Sequence, residues 1–199
     1  WGKNDRNTAP GAFEAIQHAR QNGARLIVID PVKTSLAAMA DIWLQIKPGH
    51  DGPLAMAMIH EIIESNLYEA DFVAEQTTGF TTLQEAAAQY TPENVAERLW
   101  LKPRDIREAA RLYARTKPAC IIDGNGLDMQ LQTFQATRAV CILRALTGNL
   151  DRDGGDFIPQ PVPAHNIQLK QRLPSDTRPV TSEYRLFDEF HPTWGRHAQ

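Results

Sequence analysis

Arg25-Leu26-Ile27-Val28-Ile29-Asp30-Pro31 is a short apolar run closed by an acid and a proline, and its reading decides the fold class. An apolar run of this length, bounded by turn residues, predicts a strand buried on both faces. Before it, Ala12, Ala15, Ile16 and Ala19 recur at helical spacing, with Pro10 suited to the helix start and Gly23 to its stop. After it, residues 33–40 predict a short helical or irregular turn. Ile42-Trp43-Leu44-Gln45-Ile46 predicts a second strand, stopped by Pro48-Gly49. A long helix follows from Asp51 to Glu64, with Leu54, Met58, Ile62 and Ile63 on one face.

Further along, short helices are expected around 68–74, 83–88 and 92–98, each opened by an acidic or hydroxyl residue able to cap backbone N–H groups. Pro103 starts another, to about Ala114. Ala119-Cys120-Ile121-Ile122 predicts a third strand, closed by Asp123-Gly124-Asn125-Gly126. A helix from about Gln130 to Leu146 ends at Thr147-Gly148-Asn149. Trp1-Gly2 reads as the end of a further strand whose body precedes residue 1. Alternating strands and helices imply an α/β fold with a mostly parallel sheet and helices on both faces. Residues 1–157 form the expected domain. Residues 158–199, where prolines 159, 161, 163, 174 and 179 fall without a period, form an extended proline-rich tail expected to wrap onto other protein.

The 199 residues are 42% hydrophobic, enough for a core, and carry a formal charge of −3. That balance gives no electrostatic ground for a nucleic acid or an anionic membrane as partner. No run approaches the roughly 18 apolar residues of a membrane span. Cys120 and Cys141 lie in apolar surroundings and are expected as buried thiols. They form no CxxC pair, so the chain offers no zinc or iron–sulfur ligand set. The chain starts at Trp1 without Met, inside a strand-to-loop junction, and is expected to be a piece of a longer protein. The cytoplasm is the expected compartment, with the periplasm open because a targeting segment would lie elsewhere.

In an open parallel sheet, ligands bind beyond the carboxyl ends of the strands. Four clusters fall at such ends: Trp1-Gly2-Lys3-Asn4, Asp30 to Thr34, Pro48-Gly49-His50-Asp51, and Asp123 to Gly126. Gly2 would let backbone approach a phosphate, with Asn4 as a donor. Asp30 could accept from ribose hydroxyls. The two oxygens of Asp51 suit the paired N–H donors of guanine. Gly124 and Gly126 would admit a ligand close to the backbone. Each cluster also has a plain structural reading: Asp51 as a helix N-cap, Asp30-Pro31 and Gly124-Asn125-Gly126 as turns, His50 as a loop residue. There is no GxGxxG fingerprint and no P-loop. The joint placement on one rim carries the functional reading.

Four blocks in this order, WGKN (1–4), LIVIDPVKTSLAAMADIWLQIKPGHDGPLAMAMIHEII (26–63), YTPENVAERLWLKPRDIREAARLYA (90–114) and LRALTGNLDRDGG (143–155), resemble the central region of the dimethyl-sulfoxide-reductase superfamily of molybdopterin oxidoreductases. That group includes formate dehydrogenases, nitrate, thiosulfate and polysulfide reductases, and acetylene hydratase. The resemblance covers about residues 1–157. It implies a Rossmann-like three-layer αβα sandwich holding the guanosine end of one of two molybdopterin guanine dinucleotides, with molybdenum or tungsten in the parent protein. By position, it assigns Gly2 and Asn4 to a phosphate-side loop, Asp30, Pro31 and Thr34 to the segment beside the nucleoside, and Gly49 and Asp51 to the loop meeting the guanine. Gly126 falls in a GxGxxQ-like stretch whose Gln position holds Met129 here, with Gln130 next. Lys33 stands where Arg is frequent, which keeps the charge without the fork.

The metal ligand, the iron–sulfur cysteines and the remaining domains implied by the resemblance fall outside this chain. No catalytic and no metal-binding residue is therefore assigned. The implied partners are the rest of the parent enzyme and electron-transfer subunits, and the isolated chain is expected to hold no cofactor and to expose an apolar docking surface. A non-redox hydratase on the same scaffold, a generic nucleotide-binding module and a structural interaction domain are the competing readings.

Overall fold

The structure, a computed structural model, describes residues 1–158. The expected tail, apart from its first residue, lies outside the described residues.

Two strands form the sheet: β1, Ile27–Ile29, and β2, Ile42–Leu44. They run parallel, with Ile27 opposite Ile42, Val28 opposite Trp43 and Ile29 opposite Leu44. The chain is mixed helical around this small parallel pair, compatible with an α/β class. Helices α1 (Asp5–Thr8) and α2 (Pro10–Gln21) precede β1. α3 (Ser35–Met39) links the strands, and α4 (Asp51–Glu64) leaves β2 through the Pro48-Gly49 turn. Then follow α5 (Ala70–Gln76), α6 (Phe80–Ala87), α7 (Pro92–Leu99), α8 (Pro103–Arg115), α9 (Asn125–Asp128) and α10 (Thr133–Leu146).

α4 is the central helix. It is buried nearly all round, which fits its scarcity of polar residues, and it packs on α10, α8 and α7. Its one mid-helix charge, Glu61, is buried and satisfied: Arg111 Nε donates at 2.7 Å, Ser65 Oγ at 2.9 Å, and Arg107 Nε lies 3.3 Å away. α8 shows the clearest two-sided pattern. Ile106, Ala109, Ala110, Tyr113 and Ala114 face the core, while Arg104, Arg107, Arg111 and Arg115 face outward. Leu44, Leu54, Ile59, Ile62, Leu99, Ile106 and Leu143 are fully buried, each worth about 1.5–3 kcal/mol over the exposed state.

Several expectations need correction. Ala119–Ile122 is not a strand of the sheet. The Ala119 amide donates to Asn149 Oδ1 at 3.1 Å, and the Ile121 amide to Asp156 Oδ2 at 3.1 Å. Side chains thus occupy the edge where a strand neighbour would sit. Both cysteines are exposed rather than buried. The first position of α4 is Asp51, with His50 as N-cap, so the Asp51 carboxylate is not a capping group. Of the short helices, α7 has its hydroxyl cap, with Thr91 Oγ1 accepting from the Asn94 amide at 3.2 Å. α5 and α6 open on Glu69 and Gly79 with no side-chain cap.

Candidate functional site: a rim at the carboxyl ends of the strands

Trp1 and Gly2 tie three of the four clusters together and reach the end of β1, just before the fourth. The Gly2 amide donates to the Ile29 carbonyl at 2.9 Å, at the end of β1. The Trp1 amino nitrogen donates to the Ile122 carbonyl at 2.7 Å, and the Gly124 amide returns a bond to the Trp1 carbonyl at 3.1 Å. The Gly126 amide donates to the Gly2 carbonyl at 3.0 Å. The Trp1 indole Nε1 donates to Asp51 Oδ1 at 2.7 Å. One dipeptide therefore touches the ends of β1 and of the 119–123 segment, and the start of α4.

Gly2 has φ +59, which glycine adopts at little cost. A Cβ on Gly126 would lie 2.7 Å from the Gly2 carbonyl oxygen. Gly126 is thus required by close backbone packing on Gly2, a reason internal to the fold. Gly49, φ +78, faces Gln130: a Cβ there would lie 3.4 Å from Gln130 Oε1. Gln130 Nε2 in turn donates to the Gly126 carbonyl at 3.3 Å. Gln130 is thus bonded to the Gly126 loop and lies beside Gly49, while Met129 stands exposed. The sequence signal for Gln130 was the glutamine one place beyond the motif position. α9 ends at Asp128, and this turn brings the later residue round.

Asp51 is buried, and that burial pushes its carboxyl above the ordinary carboxylate range. The hydrogen bond from Trp1 acts in the opposite direction and does not cancel it. A carboxylate offers about four lone-pair sites, so one bond from Trp1 fixes its orientation and leaves acceptor capacity free. Asp30 is also buried; its Oδ1 accepts from the Val32 amide at 2.8 Å, turning the chain at the end of β1. The Pro31 carbonyl accepts from Gln45 Nε2 at 3.2 Å. Thr34 Oγ1 caps α3 by accepting from the Ala37 amide at 3.2 Å, which commits one of its lone pairs. The Asn4 carbonyl opens α1, accepting from the Thr8 amide at 3.1 Å. The rim thus unites Gly2, Asp51 and Gly126 through hydrogen bonds with Trp1, Gln130 and each other, with Gly49 beside Gln130. Asp30, Pro31 and Thr34 form the adjacent loop, and the Asn4 side chain is not drawn into the cluster.

Three side chains to which the sequence reading assigned no role matter here. Trp1 holds Asp51. Gln130 holds the Gly126 loop. Arg144 Nη2 donates to the Ile121 carbonyl at 2.8 Å and pairs with Asp123, fixing the segment that carries Gly124 and Gly126. An indole N–H beside a buried acid can be read from composition alone only once the fold makes them neighbours.

The arrangement brings together glycine turns at Gly2 and Gly49, a buried acid oriented by an indole, and a second acid at a strand end. Among the described residues there is no cluster of His, Cys, Asp or Glu able to hold a metal ion. The rim can bind and orient.

The molybdopterin oxidoreductase family model matches residues 1–168. Acetylene hydratase of Syntrophotalea acetylenica is 37% identical over 83% of this chain and 23% of its own length. Formate dehydrogenase H of Escherichia coli is 38% identical over 76% of the chain and 21% of its own. The F420-dependent formate dehydrogenase alpha subunit of Methanocaldococcus jannaschii is 33% identical over 96% of the chain and 29% of its own. Among solved structures, acetylene hydratase from Pelobacter acetylenicus superimposes with a TM-score of 0.68 at 40% identity, over 69% of this chain and 19% of that one. The chain spans between a fifth and three tenths of the length of these curated relatives.

Proposed function

The chain belongs to the molybdopterin oxidoreductase family, and from that premise we propose that it holds the guanosine end of a molybdopterin guanine dinucleotide in a larger enzyme. The family implies a molybdenum or tungsten pterin cofactor. The observation that carries the guanosine reading is the Asp51 carboxylate, buried at the strand-end rim and oriented by the Trp1 indole. Keeping an acid there opposes burial, and paired N–H donors from a guanine edge would offset that cost. Adenine lacks such a donor pair. Gly2, packed on Gly126 and Leu127, would shape the turn on the phosphate side, Gly49 would keep a second loop free of a side chain, and Asp30 would supply an acceptor for a ribose hydroxyl. Asn4, Pro31, Thr34 and Gly126 belong to the same proposed lining, in which Gln130, one place past the motif position held by Met129, would stand beside Gly126. The Rossmann-like three-layer sandwich belongs to the same proposal, with the parallel β1–β2 pair as its seed.

The bound cofactor would supply the redox chemistry, and this chain's residues would position it. Met129, Leu131 and Phe134 stand exposed where α10 begins, an apolar surface suited to the remaining domains. The parent would pass electrons to or from a small substrate, with electron-transfer subunits as partners. A second reading, a redox-neutral hydratase, is favoured by the likeness to acetylene hydratase. Substrate-dependent reduction of an artificial electron carrier by the parent separates the two. Hydrolysis of the cofactor released from the purified parent tests the nucleotide: GMP is expected, whereas CMP or AMP, or no nucleotide, contradicts the reading.

A further inference from the structure

The outward face of α8 is a stripe of guanidinium groups. Arg104, Arg107, Arg111 and Arg115 recur at three- and four-residue spacing, so they lie along one side of the helix. Arg25, two residues before β1, joins them, and the five line an open concavity of about 590 Å³. Glu108 is the single carboxylate in that lining. The chain as a whole carries a formal charge of −3, so the positive charge here is a local concentration.

Part of that charge is used within the fold. Buried Glu61 accepts from Arg111 Nε at 2.7 Å and lies 3.3 Å from Arg107 Nε. Arg107 also pairs with Glu93, Arg104 with Asp105, and Arg25 Nε with Asp41 at 2.9 Å. Arg115 has no carboxylate partner among the described residues. Arg111 and Arg25 are gripped at Nε, and no hydrogen bond leaves the Nη groups of either among the described residues. The forks of Arg25, Arg111 and Arg115 are therefore exposed and uncommitted, and two of them sit on side chains already held in place. A side chain held before binding loses less entropy when a partner arrives.

The spacing selects the kind of partner. At a rise of about 1.5 Å per residue, Arg107, Arg111 and Arg115 are about 6 Å apart and the stripe is about 16 Å long. An extended polypeptide places every second side chain on one side, about 6.6 Å apart. We propose that this face of α8 docks an extended acidic segment of a partner protein, with carboxylates at alternate positions each taken by one guanidinium. The planar fork of arginine matches a carboxylate with two parallel N–H bonds. A single phosphate-sized anion would engage one or two of these groups and leave the rest of the stripe unused. The proposal does not rest on the nucleotide reading of the rim, since Asp51 and the glycine turns play no part in it.

The test is calorimetric titration of the full-length parent with a blocked heptapeptide of alternating glutamate and threonine. The native parent should bind it, and raising the salt from about 50 mM to about 200 mM should weaken binding severalfold. Arg104→Gln with Arg115→Gln should weaken it tenfold or more, with a melting temperature within a few degrees of the native one. Should that variant melt far lower, Arg115→Gln alone should still lose threefold or more, since no internal ion pair is broken. Arg98→Gln with Arg138→Gln removes the same charge from α7 and α10 and should leave binding unchanged. Absence of binding by the native parent overturns the proposal, as do equal losses in the two double variants. Equal or tighter binding of inorganic pyrophosphate or of an oligothymidylate also overturns it, by making the occupant a small anion or a nucleic acid.

Discussion

The indole of Trp1 donates a 2.7 Å hydrogen bond to the carboxylate of Asp51, fifty residues on, and so joins the end of one chain segment to the first turn of the central helix. Asp51 is buried, so this bond is made to a charged group with restricted access to water. Such bonds contribute about 1.5–3 kcal/mol. Trp1→Phe removes the donor and keeps most of the ring. Urea denaturation should show a loss in that range, and a loss under about 0.5 kcal/mol would mean that the bond is not formed in solution.

Asp51 also sets a pH dependence. Burial raises its carboxyl above the reference value of 3.8. A raised folded-state value means that the group's contribution to stability is present below 3.8 and is lost as pH rises through the folded value. Asn at this position can still accept from Trp1 but does not titrate. The stability of Asp51→Asn relative to the native chain should therefore increase as pH rises from 3 through the weakly acidic range, then level off. Urea melts across that range check it; a relative stability that falls instead would reverse the assignment.

Gly126 and Gly11 make a matched pair. A Cβ on Gly126 would meet the Gly2 backbone at 2.7 and 2.9 Å, whereas one on Gly11, inside α2, meets nothing within 4 Å. Gly126→Ala should cost about 1–3 kcal/mol, the range of a forced backbone shift. Gly11→Ala should gain about 0.4–1 kcal/mol from lower unfolded-state entropy. Thermal melts of the two variants should move in opposite directions; equal shifts would show that the Gly2–Gly126 contact is not rigid.

Arg144 holds the 119–123 segment through the Ile121 carbonyl, Asp123 and Asp156. Arg144→Ala should cost about 1.5–3 kcal/mol, as expected for hydrogen bonds to charged groups. It should also speed amide exchange at Ala119 and Ile121. Unchanged exchange at those two positions would mean that Asn149 and Asp156 suffice to hold the segment.

Much of this was legible in the sequence where the signal was local. The run 25–29 gave β1 within two residues, and the period of Leu54, Met58 and Ile62 gave α4 with both of its ends. The segment 119–122 looks like a strand because it has the residues of one. It fails to join a ladder because side chains from Asn149 and Asp156 take one edge and a groove lies between it and β1. Strand pairing is a property of the neighbour, which a single run cannot report. The same holds for Cys120 and Cys141: apolar neighbours in sequence did not make the thiols buried in space. At the rim, the sequence named loops one by one, whereas the bond that joins Trp1 to Asp51 links residues fifty positions apart, which local pattern does not report.

The most direct test of the guanosine assignment is made on the full-length parent carrying Asp51→Ala. Guanine released by acid hydrolysis is measured per polypeptide, beside the melting temperature of the protein. Loss of the carboxylate should lower guanine content tenfold or more, while the melting temperature falls by only a few degrees. Guanine content equal to that of the native enzyme would contradict the assignment of Asp51 to the guanine.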